Sequence, residues 1–310
     1  MKAPQENAPL RSTFPRGPRS TTPAAISVSG PVLRAARAGL ARGRIELRQT
    51  FTNAPDLWNY LFPAVVLLVV LFFMRGATVP GTSFSLSSRT MPSALGMNIA
   101  FGGLITMAMG LTTDREDGTL LRAKAIPNGM VGYLIGRIAL VAGMGVVSLA
   151  IQLVPTLFLL DGLRLTGTSW LTLIWVVLLG MVATMPIGAI LGSLISNPRN
   201  MGLIMLPLVG LIATSGIFYP ITNFPVWLQW IAQAFPIYWL GLGMRSALLP
   251  DSLASVEFGE SWRHLEMVGV LGVWAVLGLV IAPIVLRRMA RRESGSRVAE
   301  RREKALQRIT

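Results

Sequence analysis

Six apolar stretches divide the chain, at approximately 57–74, 94–111, 138–160, 171–195, 201–219 and 267–286. Each comes close to the ~20 residues that carry an α-helix, at ~1.5 Å per residue, across a hydrocarbon core of ~30 Å. The pattern predicts an all-α integral membrane protein with six transmembrane helices, because only helices and closed barrels satisfy their backbone groups in lipid. Pro63, Pro155, Pro186 and Pro207 fall inside these stretches, where neighbouring helices can re-satisfy the carbonyl groups a proline frees. Ahead of the first stretch the pattern changes. Over 31–49, Val32, Leu33, Ala36, Leu40 and Leu47 gather near one helical face, and Arg34, Arg37, Arg42, Arg44 and Arg48 lie on the polar side. This predicts an amphipathic helix in the membrane interface, its arginines reaching the headgroups; a basic linker is the plainer alternative. Residues 1–30, rich in Pro, Ser, Thr and Arg, read as a disordered cytoplasmic tail with no apolar run of signal-peptide length. Residues 291–310 read as a basic cytoplasmic tail, leaving one membrane domain over 31–290.

Composition agrees with lipid as the main solvent: 52% of residues are apolar and 14% charged, against about 25% charged in a typical soluble domain. The formal charge of +14 would suit a nucleic-acid binder, but its distribution does not. Nine of the 28 Lys/Arg precede Asp56 and nine follow Leu286, and no zinc, RNA-recognition or helix-turn-helix signature accompanies them. With both termini inside, the cytoplasmic segments hold 23 of the 28 and the external segments 5. The positive-inside bias therefore predicts an N-in, C-in topology, and an even number of crossings agrees with it.

Several chemistries are excluded or left without support. The chain has no cysteine, so disulfides, thiolate metal sites and cysteine catalysis are absent. It has no Gly-Lys dipeptide and hence no Walker-type phosphate loop. The one histidine, His264, falls in an external loop. No catalytic or metal-binding residues and no bound cofactor are expected. The spans carry almost no ionisable side chain; Arg137, at the edge of the third, reads as a snorkelling anchor. That weakens an ion-coupled transporter, which needs a titratable or anionic site near the midplane. A non-transporting membrane scaffold is the other alternative.

Two segments stand out. Between spans two and three, "TTDREDGTLLRAKAIPNG" places Glu116 three residues after Thr113, a capping-box pattern. Asp114, Glu116 and Asp117 would then sit at a helix N-terminus, and Arg122 and Lys124 in the last turn before Pro127. This predicts a self-capped cytoplasmic helix, either an ordinary connection or a docking surface for a soluble partner. After span five, Pro220, Pro225 and Pro236 cut a region crowded with Phe218, Tyr219, Phe224, Trp227, Trp230, Phe235, Tyr238 and Trp239 into pieces too short to span. Amphipathic rings favour the membrane–water boundary, so the prediction is two short helices that dip into the outer leaflet and return; one extra span is the alternative. Gly188 and Gly192, four residues apart, permit close helix approach within the chain or between copies.

In these two blocks, "DREDGTLLRAKAIPNGMVGYLIGRI" and "SGIFYPITNFPVWLQWIAQAFPIYWLGLGMRSALL", the sequence resembles the ABC-2 permeases of ATP-binding-cassette transporters, in particular daunorubicin-resistance-type drug and lipid exporters. The resemblance implies that 31–49 is an elbow helix and that 113–126 is a coupling helix docking on a separate ATPase subunit. Thr113, Asp114, Arg115, Glu116, Gly118, Thr119, Leu120, Arg122 and Pro127 would form that contact, with Asn197-Pro198-Arg199 as a smaller second one. It implies a re-entrant gate at Phe218, Tyr219, Pro220, Pro225, Trp227, Trp230 and Pro236. A pathway lined from spans two and five would include Phe101, Met107, Met109 and Met205. It further implies a homodimer or a heterodimer with a sister permease in the plasma (inner) membrane, among membrane lipids, with ATP-Mg bound by the partner. The later half of the first block, "RAKAIPNG", is less bulky and less Leu-rich than the family's usual pattern.

Overall fold

The protein is described from a computed structural model covering residues 30–77, 85–160, 162–163, 165–195, 201–217 and 220–292. Ten α-helices appear in these residues: α1 Pro31–Thr52, α2 Ala54–Phe73, α3 Leu86–Glu116, α4 Thr119–Lys124, α5 Gly129–Leu159, α6 Gly167–Leu194, α7 Met201–Thr214, α8 Val226–Ala234, α9 Pro236–Leu248 and α10 His264–Arg292. No strand occurs among the described residues. The two tails and the Asn197-Pro198-Arg199 turn lie outside the described residues, apart from the end of α10.

Four helices, α3, α5, α6 and α10, are long and apolar enough to cross a bilayer. Two shorter apolar runs, Phe62–Phe73 in α2 and Met205–Thr214 in α7, accompany them. The described part of α7 has 14 residues, about 21 Å of helix. The most apolar window of α3 is 61% buried within the chain, whereas that of α10 is 22% buried. So α3 forms the centre with α6, and α10 leaves most of its surface, including Val273, Val276 and Val280, exposed.

The central helices come together where side chains are smallest. A Cβ on Gly188 would collide with the Leu104 carbonyl, and one on Gly192 with the Ala108 carbonyl. The small-residue spacing in α6 thus serves contact with α3 inside the chain. Helix α9 wedges against both: Leu240 presses its backbone on Gly96 and its side chain on Gly180.

Helix α3 also extends beyond its apolar stretch at each end. Ser87, Ser88, Arg89, Thr90 and Ser93 continue it outward, and all are buried. Hydropathy marks the residues that tolerate lipid; these polar residues are sheltered by protein instead, so the helix persists where the hydropathy falls.

Helix α1 packs along α5 through a glycine seam. Gly39 meets the carbonyl of Gly132, Gly43 that of Gly136, and Gly136 that of Gly39. Val32, Leu33, Leu40 and Ile45 remain exposed on other faces.

Candidate functional site

At the cytoplasmic end by the predicted orientation, α3 carries charges that the fold uses locally. Arg115 donates from Nη1 to the carbonyls of Ser193 (3.1 Å) and Ile195 (2.9 Å), satisfying groups that the end of α6 leaves open. Asp114 accepts from the Tyr133 hydroxyl at 2.7 Å and faces Arg137 Nη1 at 3.6 Å. Arg137 does not extend outward as a snorkelling anchor. Its guanidinium lies over Gly110, where any Cβ would occupy the same space.

The predicted capping box is absent. Thr113 lies inside α3, its Oγ1 donating to Met109 O at 3.1 Å, and helical bonding continues through Glu116. The break comes at Gly118, with φ of 71°, a left-handed geometry that glycine adopts freely and that commonly ends helices. Then α4 begins at Thr119, whose hydroxyl accepts from Arg122 Nη2 at 3.0 Å. Leu120 and Ala123 anchor α4 in the core, while Arg122, Lys124, Ile126 and Pro127 are exposed. Residues 113–127 are therefore built as a helix end, a turn and a short second helix.

The opposite end contains what the sequence reading missed. Glu257, from the loop after α9, receives Arg89 Nη2 of α3 at 3.0 Å and Arg245 Nη2 of α9 at 2.9 Å. Arg245 Nη1 also donates to Ser93 Oγ at 2.7 Å. All four residues are buried. Burial pushes the Glu257 carboxyl up, but the adjacent Arg245 and Arg89 guanidiniums outweigh it and hold the group below the usual carboxylate range. A lone arginine within the apolar run "WLGLGMRSALL" was the available signal.

The two predicted short helices are present as α8 and α9. Trp227 and Trp230 of α8 are exposed, whereas Pro236 and nearly all of α9 are buried. Pro220 and Pro225 flank a 3₁₀ turn, Ile221–Asn223; Phe218 and Tyr219 lie outside the described residues. Trp274 of α10 donates to Ala234 O at 2.7 Å and stacks on Phe235, tying down the α8–α9 junction.

Two cavities adjoin α3. One, of about 670 Å³, lies between α2, α3 and α5 with Ile212 of α7, and sets Asn98, Ser148 and Gln152 among apolar side chains such as Met97 and Met144. The other, of about 280 Å³, lies between α3, α6, α7 and the start of α9, with Trp274 of α10 in its lining. Phe101 borders both. Of the other suggested lining residues, Met107 is core, Met109 is exposed, and Met205 packs beside Ala108 and Ile195; none borders either cavity. The isolated polar residues Asn98 and Gln152, within otherwise apolar stretches, are the sequence signal for the first of these cavities.

The model of the family described as ABC-2 family transporter protein matches residues 77–286, more than half of the chain. This chain belongs to the ABC-2 family. The matched region of the ABC-2 chain takes in α3 to α9 and most of α10, including the α3–α4 turn and the α8–α9 pair; α1 and α2 precede it. Its apolar helices and its family make the ABC-2 chain a multi-pass membrane protein and the membrane component of a transporter. No curated protein sequence matches it.

Proposed function

We propose that the chain is the permease subunit of an ATP-driven exporter. It crosses the plasma membrane six times with both ends inside and is powered by a separate ATPase subunit that binds ATP-Mg. Two permease subunits, identical or paired with a sister chain, form the pathway; α1 is the elbow helix and α4 with its flanking turns the coupling helix. The observation that carries this reading is the α3–Gly118–α4 corner. Its outer residues, Arg122, Lys124, Ile126 and Pro127, are exposed, while Leu120 and Arg115 fasten it to α6 and the core. A push on such a corner is delivered to α3 as a rigid body rather than absorbed locally. Closure of the ATPase pair would move the corner, reorient α3 and expose the apolar cavities beside Phe101 alternately to the two sides. Mostly apolar walls with a few neutral polar groups suit a lipophilic or amphipathic cargo of the daunorubicin or lipid kind. In this reading α8 and α9 re-enter the outer leaflet and close the pathway outward.

The test is charge reversal at the corner, Glu116→Arg with Arg122→Glu. Co-purification of the ATPase and export into inverted vesicles should both fall at least about tenfold, as loss of charge complementarity at a docking surface predicts. If both persist, the corner has no part in coupling.

A further inference from the structure

A basic groove of about 610 Å³ opens between α1 and the α4–α5 corner. Arg34 and Arg42 line it from α1 and Arg122 from α4, and no acidic side chain lines it among the described residues. Arg34 and Arg42 lie eight residues apart, about 12 Å along the helix. Thr119 turns Arg122 in place, and Glu46 orients Arg42 through Nε at 2.6 Å. The glycine seam holds α1 against α5, so the groove has a firm back wall rather than a loose strand of arginines. Beside the arginines, Ala35, Ala38 and Pro127 supply apolar lining.

We infer that this groove binds the headgroup of an anionic phospholipid. Guanidiniums arranged around a pocket suit phosphate oxygens, to which each can offer paired donors. The same helix leaves Val32, Leu33, Leu40 and Ile45 exposed, and large apolar side chains beside a cationic face place a helix in a lipid surface rather than against a hydrophilic protein. The lipid phosphate would then bridge α1 and α4. Membrane composition would thereby affect how firmly the corner is held, through Arg122, which the proposed coupling contact also uses.

Purified full-length chain, with no ATPase present, tests this by native mass spectrometry after exchange with equal phosphatidylglycerol and phosphatidylcholine of matched acyl chains. The wild type should retain phosphatidylglycerol in preference by about tenfold or more, the scale of two to three arginines acting near an anionic headgroup. Arg34→Gln with Arg42→Gln should bring the two lipids to within about twofold. Arg34→Lys with Arg42→Lys should restore most of the preference, showing that the chain still folds. Arg44→Gln with Arg48→Gln, on the same helix but away from the groove, should leave it intact. An equal loss in that last variant would mean diffuse attraction to a basic helix and would overturn the site. So would an unchanged preference in the Arg34/Arg42 glutamine variant. Absence of any lipid preference together with loss of ATPase co-purification in that variant would assign the groove to a protein partner instead.

Discussion

The two ends of the molecule hold their charges in opposite ways. At the predicted outer end, Glu257 and its arginines Arg89 and Arg245 are nearly inaccessible, with side-chain exposures of 5%, 7% and 2%, and they join three separate parts of the chain. At the predicted inner end, Asp114 and Arg137 retain 16% and 14% exposure, and Arg122, Lys124, Ile126 and Pro127 of the adjoining corner are exposed. A buried carboxylate between two guanidiniums is expensive to disturb, since removing one partner strands the others in a low dielectric. A pair with more solvent access is screened more and contributes less. The outer end therefore behaves as a fastening and the inner end as a surface that can be touched and moved.

Breaking the outer fastening should have the largest effect. Glu257→Ala leaves two arginines buried without their shared carboxylate and should cost about 3–5 kcal/mol, read as loss of the monodisperse peak after mild heating. Acid reaches the same group more gently. Because the folded carboxyl is held below its unfolded value of about 4.3, its contribution is present above that pH and is lost as pH falls through the lower folded value. Thermal stability should therefore decline below about pH 4, and Glu257→Gln should flatten that limb.

Gly39→Leu drives a side chain into the Gly132 carbonyl and should cost about 1–3 kcal/mol, with α1 becoming more accessible to protease. At the inner end Asp114→Asn should cost less than Glu257→Ala, about 1.5–3 kcal/mol, the scale of a hydrogen bond to a charged group. A loss comparable with that of Glu257→Ala would erase the contrast between the two ends. Thr113→Ala should change stability by less than about 0.5 kcal/mol. A loss near 1 kcal/mol would instead be the mark of a true N-cap and would count against the continuous α3.

Much of the fold was legible because lipid imposes a simple rule on sequence: long apolar runs become helices. That rule located α3, α5, α6 and α10, and proline spacing with aromatic crowding located α8 and α9. It misjudged the ends of α3, because polar residues there are covered by protein and helical bonding ignores hydropathy. The Thr113–Glu116 pattern was misread for a related reason. A capping box is a local signal, and here the preceding helix arrived already formed and ended only at Gly118. In the interior, Phe101 borders both cavities, whereas Met107, Met109 and Met205, on the same or similar apolar stretches, border neither. Which face a residue presents depends on neighbours remote in sequence.

Composition, charge asymmetry and the two motif blocks were by themselves enough to determine a helical membrane protein of the transporter kind, because burial in lipid and retention of positive charge on one side act on short stretches read one at a time. The meeting of Arg89, Arg245 and Glu257, the glycine seam of α1 on α5 and the basic groove beside it were decided only by tertiary structure. Each joins residues from separate segments, and no local pattern encodes a contact whose energy exists only once the helices have packed.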